Sequence, residues 1–285
     1  MIWTLLLAPL AFGGDLDTQL LEAHGKVDWT AARVALVDGD LDEATLTEAT
    51  ADDDWRVSLT ASAVLSWRAD ADAAAAIWAA PTLESRAGTP VFDARVAVDH
   101  PAVLAERLVH ADEPTEVRRA AVEQLRRTQG PWDVWVAGLA TSDDDAQVRA
   151  ICAEVMRYAE GEHVEAALRN ALSDDSPDVR AAAARGAGWS KSGPQLIDEL
   201  VTATQDGDHV VAGFAARSLG WLGASSAFDA VATVVDGPEW RSRLDALRAL
   251  ERIDAERAAT HPVVLRARSD ADERVARAAS QIAGS

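Results

Sequence analysis

Arginine and carboxylate residues recur at a fixed interval in this sequence, and they are the first candidates for chemistry. Arg118, Arg149 and Arg180 stand 31 positions apart each time, and each follows a Val: Val117, Val148 and Val179. Acidic clusters recur beside them: Asp112-Glu113, Asp143-Asp144-Asp145, Asp174-Asp175, Asp206 with Asp208, Asp236, and Asp270 with Asp272. Carboxylates at that spacing could bind calcium or attract a basic partner. The competing reading is that each Asp caps the helix that follows and complements its dipole, worth about 1 kcal/mol each. Capping is the stronger reading, because it serves every copy equally and no EF-hand spacing is present. The arginines are expected to pair with an Asp of their own or the next copy, as a structural ladder. Val211-Ala212 should interrupt it.

Groups that could carry catalysis or a metal are sparse. The six histidines are His24, His100, His110, His163, His209 and His261, and none is followed by Glu. His100 and His261 precede Pro. There is no glycine-rich nucleotide loop, no Gly-x-Ser-x-Gly elbow and no His-Glu-x-x-His pair. The single cysteine, Cys152, excludes an internal disulfide and a cysteine-based zinc site. It lies on an apolar helix face, which makes it a small core residue rather than a reactive thiol. No catalytic residue, metal ligand or cofactor is assigned.

The residues best suited to binding form a stripe in the same frame. Six positions past the Val frame come Glu123, Glu154, Arg185, Arg217 and Arg248; ten past it come Arg127, Tyr158, Trp189, Trp221 and Arg252. On a 3.6-residue helix these two offsets lie one turn apart and away from the core face. Arg, Trp and Tyr are enriched at binding hot spots. Tyr158, Arg185, Trp189, Arg217, Trp221 and Arg248 are therefore the candidate partner-binding residues. The alternative is that Trp189 and Trp221 cover helix ends at Gly188 and Gly220 by packing between copies.

The elements that must position this stripe are pairs of helices. Ala121, Cys152, Ala183, Ala215 and Ala246 recur four residues past the frame. Leu125, Met156, Ala187, Leu219 and Leu250 recur eight past it, at intervals of 31, 31, 32 and 31. Val, small and apolar residues at these offsets share one helix face. A preceding helix completes each unit: Ala102–Leu108, Trp132–Ala140, Val164–Leu172, Leu196–Ala203 and Phe228–Val235. Pro131, Pro194, Pro238 and Pro262 fall at helix starts or connections, where a missing N–H costs least. A lone pair of this size cannot bury its apolar face, so pairs must stack.

The pattern Asp-x-x-Val-Arg-x-x-Ala-x-x-Ala-Leu-Gly resembles the short HEAT-like repeat of the phycobilisome-lyase type. Its clearest copies are 145–157, 175–188, 208–220 and 272–284, with a weaker one from Asp54-Trp55-Arg56 to Leu65. The copy at 239–250 keeps the frame but sets Trp240 and Arg241 near the Val-Arg position. The resemblance covers about residues 40 to 285 and implies an all-α fold, an α-solenoid of about seven to eight HEAT-like helix pairs wound as a right-handed superhelix. It also implies an arginine ladder and a concave face lined by the second helices. The HEAT-like enzyme deoxyhypusine hydroxylase holds di-iron on His-Glu pairs, which this sequence lacks. Residues 81 to 101, with Pro81, Pro90, Pro101 and Gly88, read as a degenerate unit or extended connection, and 14–50 as an atypical helical cap before a solenoid at 51–285.

Composition agrees with this reading. Apolar residues make up 48% of the 285, with much of the share in alanine, which favours helix. Lys26 and Lys191 are the only lysines, and 47 acidic against 27 basic residues leave a net charge of -20. Such a surface repels nucleic-acid backbones and anionic membranes. Ile2 to Phe12 is apolar apart from Thr4 and is followed by Gly13 and Gly14. That predicts a secretory signal over 1–13 and export; the stretch is short of the ~20 residues a membrane span needs. The expected function is a non-enzymatic, monomeric scaffold holding another protein or peptide, an acidic one in particular, on the concave face. A lyase-like accessory handling a prosthetic group is the alternative.

Overall fold

The computed structural model describes residues 16–24, 41–79, 83–84, 90–91, 101–110, 115–127 and 131–284. The apolar stretch at 1–13 lies outside them, as does most of 81–101. The described chain is helical except for one antiparallel ladder, β1 (Leu83–Glu84) on β2 (Pro90–Val91), with Leu83 opposite Val91. It divides into two compact units, Met1–Gly138 and Leu139–Ser285. The chain is an all-α solenoid of HEAT-like helix pairs.

Unit 1 contains α1 (Leu16–His24), α2 (Glu43–Ala49), α3 (Trp55–Ala69), α4 (Ala71–Ala79), α5 (Pro101–His110) and α6 (Thr115–Leu125). The first part of α7 (Trp132–Ser142) also belongs to it. α3 is the hub, packing on α1, α2, α4 and α5. Asp54 starts it as a cap, accepting the Arg56 N–H at 3.0 Å. Val57, Leu59, Ala61, Val64 and Trp67 are buried. Among the described residues Trp135 is the largest fully buried side chain, and its ring N–H points to Ser58 Oγ at 3.5 Å. A Cβ on Gly138 would sit 2.2 Å from the Trp55 ring, so only glycine fits beneath that indole.

Unit 2 is the regular part. It contains α8 (Ala146–Val155), α9 (Glu162–Ala171), α10 (Pro177–Ala187), α11 (Ile197–Ala203) and α12 (His209–Leu222). α13 (Phe228–Val234), α14 (Trp240–Ile253), α15 (Ala255–Thr260), α16 (Pro262–Ala267) and α17 (Glu273–Gly284) follow. The second helices of the pairs, α8, α10, α12, α14 and α17, pack on one another in series. Their shared face carries the expected residues: Val148, Cys152 and Met156; Val179, Ala183 and Ala187; Val211, Ala215 and Leu219; Ala246 and Leu250; Val275 and Ala279. All are buried.

Small residues set how closely these helices approach. A Cβ on Gly188 would lie 2.4 Å from Ser218 Oγ, and one on Gly220 would lie 2.6 Å from Ala249. The buried serines are satisfied across the seam: Ser218 Oγ donates to the Ala184 carbonyl at 2.7 Å, and Ser242 Oγ to the His209 carbonyl at 2.6 Å. Ser242 occupies the frame position that Val holds in the other copies. Gly213 faces it, where a Cβ would come within 2.6 Å of its hydroxyl.

Candidate functional site

The loops between paired helices follow one plan. In five of these loops an aspartate two before the cap accepts the cap's N–H: Asp52 from Asp54 at 2.7 Å, Asp143 from Asp145 at 2.9 Å, Asp174 from Ser176, Asp206 from Asp208 and Asp270 from Asp272 at 2.8 Å each. Asp145, Asp208, Glu239 and Asp272 then cap their helices. In these described loops the acidic turns serve capping, as the recurrence suggests; Asp236 pairs with Arg266 instead, and Asp112-Glu113 lies outside the described residues. α10 differs: its cap is Ser176, its first turn begins with Pro177, and no side chain closes the end.

The arginine ladder ties successive loops together. Arg149 grips Asp174 with Nε and Nη2 at 2.8 and 2.9 Å, while Nη1 donates to the carbonyls of Asp143 and Asp144. Arg180 repeats this with Asp206, and Arg243 with Asp270. Each guanidinium therefore bonds its own loop and the next. Those bonds hold the Asp174, Asp206 and Asp270 carboxyls below the ordinary aspartate range. The break at Ala212 is real, but the ladder resumes at Arg243, not at Arg241. Ser242 replaces Val in that copy, which hides the Val-Arg pair although the frame itself is kept. Opposite Ala212 the loop residue is Gly237, so the missing rung has lost its arginine and its aspartate together.

The candidate stripe lies on the solvent side of the second helices in unit 2. Trp189 follows the end of α10 and is 57% exposed; Tyr158 closes the turn after α8 and is 50% exposed. The structure brings Trp189 against Trp221, with ring centres 4.3 Å apart and planes tilted by 53°. The Arg217 guanidinium covers Trp221 at 4.4 Å from the ring centre and approaches Asp245 at 4.0 Å. Arg185 is spent differently: it pairs with Glu154 of the preceding copy and lies 6.0 Å from the Phe214 ring. Tyr158 accepts a 2.7 Å hydrogen bond from Arg157, whose guanidinium also lies over its ring and bridges Glu154 at 3.3 Å. Arg248 is exposed beyond this cluster.

Three residues of this face were not in the expected stripe. Phe214 and Asp245 sit three positions past the frame, one turn before the arginines. The Asp245 carboxyl is pushed up by burial, against the opposing pull of Arg217, Arg248 and Arg252. Arg277 of α17 meets Arg248 across a groove of about 260 Å³. The repeat frame could have found the first two had the offset been scanned; Arg277, two past Val275, is matched only by Arg119, two past Val117.

Cys152 is fully buried in the core face of α8. Among the described residues, no three His, Cys, Asp or Glu side chains converge as a metal site. Among the described residues, no helix is long and apolar enough to cross a membrane.

Comparison with known proteins agrees with this geometry. A family described as HEAT repeats matches residues 132–212. No curated protein matches the chain in sequence. The crystal structure of Escherichia coli YibA superposes with a TM-score of 0.50 at 17% identity, over 90% of this chain and 97% of that one. Human deoxyhypusine hydroxylase, solved with glycerol, gives 0.39 at 16% identity over 84% and 96%. A designed armadillo repeat protein gives 0.38 at 16% identity over 85% and 98%. At these identities the likeness is one of fold alone. Residues 132–212 of this chain thus resemble HEAT repeats, within a solenoid of stacked helix pairs.

Proposed function

We propose that the chain is a non-enzymatic scaffold that binds another protein or a peptide along the second-helix row of unit 2. One observation carries the reading. Trp189 leaves more than half of its surface in water while lying on Trp221, whose ring Arg217 also covers. A rigid aromatic–arginine cluster on a regular helical row is the kind of anchor that dominates protein interfaces. Repeat solenoids supply such rows and generally serve interaction. Tyr158, Arg185 and Arg248 flank the cluster, with Arg185 and Glu154 fixing one copy to the next.

The repeat type that the sequence resembles carries a second reading, an accessory that handles a prosthetic group. The exposed ring pair could cover a flat cofactor, but no thiol or imidazole beside it offers an attachment point among the described residues. The apolar stretch at 1–13 supports export, which intact-mass analysis of the protein from its own host tests: loss of about the first thirteen residues is expected.

The binding test is site-specific photo-crosslinking. A photoreactive phenylalanine at position 189 should capture a discrete partner in host extract, and the same group at Asp198 on the first-helix side should not. Trp221→Ala should weaken that capture by about tenfold or more. Equal labelling from both positions would refute the assignment.

A further inference from the structure

In a chain of net charge -20, most arginines of unit 2 are already engaged by carboxylates. Arg149, Arg180 and Arg243 serve the ladder, and Arg157, Arg169, Arg185, Arg257, Arg266 and Arg274 each hold an Asp or Glu. Arg248 of α14 and Arg277 of α17 are different. Both are exposed, both line the same groove of about 260 Å³, and among the described residues no carboxylate lies within ion-pair distance of either. Arg252 adds a third exposed cation one turn beyond Arg248, its Nη1 directed at the Arg248 carbonyl at 3.4 Å.

The groove is built rather than incidental. Its floor is Leu244 and Ile282, both buried. Its wall includes Arg274, which is fixed twice: by Asp272 at 2.6 Å, and by stacking over Trp240 at 3.2 Å from the ring centre. Gln281 contributes a neutral amide. Glu251 is the one acid on the lining, so the cations outnumber it.

We propose that this groove anchors an acidic segment of a partner protein, with Arg248 and Arg277 taking its carboxylates. The proposal rests on the second-helix row being a protein-contact surface, and it gives that surface a charge-selective end. The groove lies past Arg217 and Trp221 in the order of the helices, so one extended segment can occupy both. Two exposed guanidinium groups on an otherwise acidic molecule are a local reversal of sign, which steers a short acidic stretch at low salt. A nucleic acid is the poorer fit: its charge continues along the backbone, and beyond the groove it meets the acidic loops, unscreened within about 10 Å at 0.1 M salt.

The test uses the full chain and three labelled probes followed by fluorescence anisotropy at low ionic strength: an octaglutamate, an octaglutamine and an eight-residue oligothymidylate. Octaglutamate should bind saturably and weaken as salt is raised, while octaglutamine should not bind. Arg248→Glu with Arg277→Glu should weaken octaglutamate about tenfold or more, Arg248→Lys with Arg277→Lys should retain most of it, and Arg268→Glu should leave it unchanged. All three variants should keep the wild-type helical circular dichroism, because the replaced side chains are exposed; the double reversal should lower the melting temperature slightly, since Arg248 also attracts Asp245, and the other two should leave it unchanged. No octaglutamate binding, or binding indifferent to the double reversal, overturns the anchor. Tighter binding of the oligothymidylate that the reversal abolishes overturns it in favour of nucleic acid. Capture from position 189 that persists in the double reversal, together with octaglutamate binding that does not change, rejects the anchor alone; loss of capture selectivity at 189 rejects the underlying surface.

Discussion

The Arg180 guanidinium donates two parallel hydrogen bonds to the Asp206 carboxylate, from Nε at 2.7 Å and from Nη2 at 3.0 Å, across the junction between consecutive helix pairs. Its remaining Nη1 caps its own loop through the carbonyls of Asp174 and Asp175. One side chain thus fixes two loops, and its fork geometry is the reason that arginine, not lysine, recurs here. Both partners are mostly buried, at 20% and 13% side-chain exposure. Arg180→Ala is expected to lower stability by about 2 kcal/mol, read as a lower urea midpoint at unchanged slope, because it strands Asp206 and two carbonyls. Arg180→Lys should recover only part of the loss.

The ladder also sets a pH dependence. Bonds from Arg149, Arg180 and Arg243 hold Asp174, Asp206 and Asp270 below the usual value of 3.8, and Arg274 holds Asp272 at about 2. A carboxyl depressed by folding stabilises the native state above its unfolded value, and that contribution is lost as pH falls through the folded one. Unfolding free energy should therefore be flat near neutrality with respect to these groups and fall below about pH 4. In Arg180→Ala the fall should be shallower, since Asp206 then titrates nearer its unfolded value. An equally steep acid limb in that variant would show that the depression has another source.

The vacant rung permits a gain of stability. Ala212 and Gly237 stand where the other copies carry the arginine and its aspartate, and Ala212 is 7% exposed. A Cβ on Gly237 would lie 3.0 Å from the Val234 carbonyl, so an aspartate there needs a small backbone adjustment. Each single change, Ala212→Arg or Gly237→Asp, should destabilise or be neutral. Together they should couple favourably by about 0.5–2 kcal/mol in a double-mutant cycle. A zero coupling energy would mean that the loop at 237–238 cannot take the geometry of its neighbours.

Much of this was legible in the sequence because a solenoid repeats its own constraints. Val148, Cys152 and Met156 announce a core face, and the same face returns in Val179, Ala183 and Ala187 at the same interval. What was hidden depended on contacts between copies. The frame of α14 was legible in Ala246 and Leu250, but Ser242 at the Val position concealed that Arg243 is its rung, and with it the matched loss at Gly237. The polarity of Ser242 is explained only by the His209 carbonyl and the space beside Gly213. Likewise the stripe was readable as a row of residues, but not that Glu154 takes Arg185 and Arg157 while Trp221 takes Arg217. Helical periodicity gives direction from one axis; it does not give the reach of a long side chain to the next axis.

That distinction decides what Arg185 contributes. It lies in the binding stripe, yet its guanidinium is committed to Glu154, with side-chain exposures of 38% and 22%. At such exposure the pair contributes about 0.5–1 kcal/mol. Arg185→Glu should lower the melting temperature modestly, because it sets two carboxylates against each other, with Arg157 as the shared neighbour. Exchanging the charges, Glu154→Arg with Arg185→Glu, should restore most of the loss while inverting the charge presented by that copy. Partner capture from position 189 separates the two roles. If the swap restores stability and capture, Arg185 acts on binding through the fold. If it restores stability while capture stays weak, the sign of charge at 185 is itself read by the partner, as expected for a row that receives acidic segments. Failure of the swap to recover stability would show that the two side chains are not coupled, and the junction between α8 and α10 would then rest on its apolar face alone.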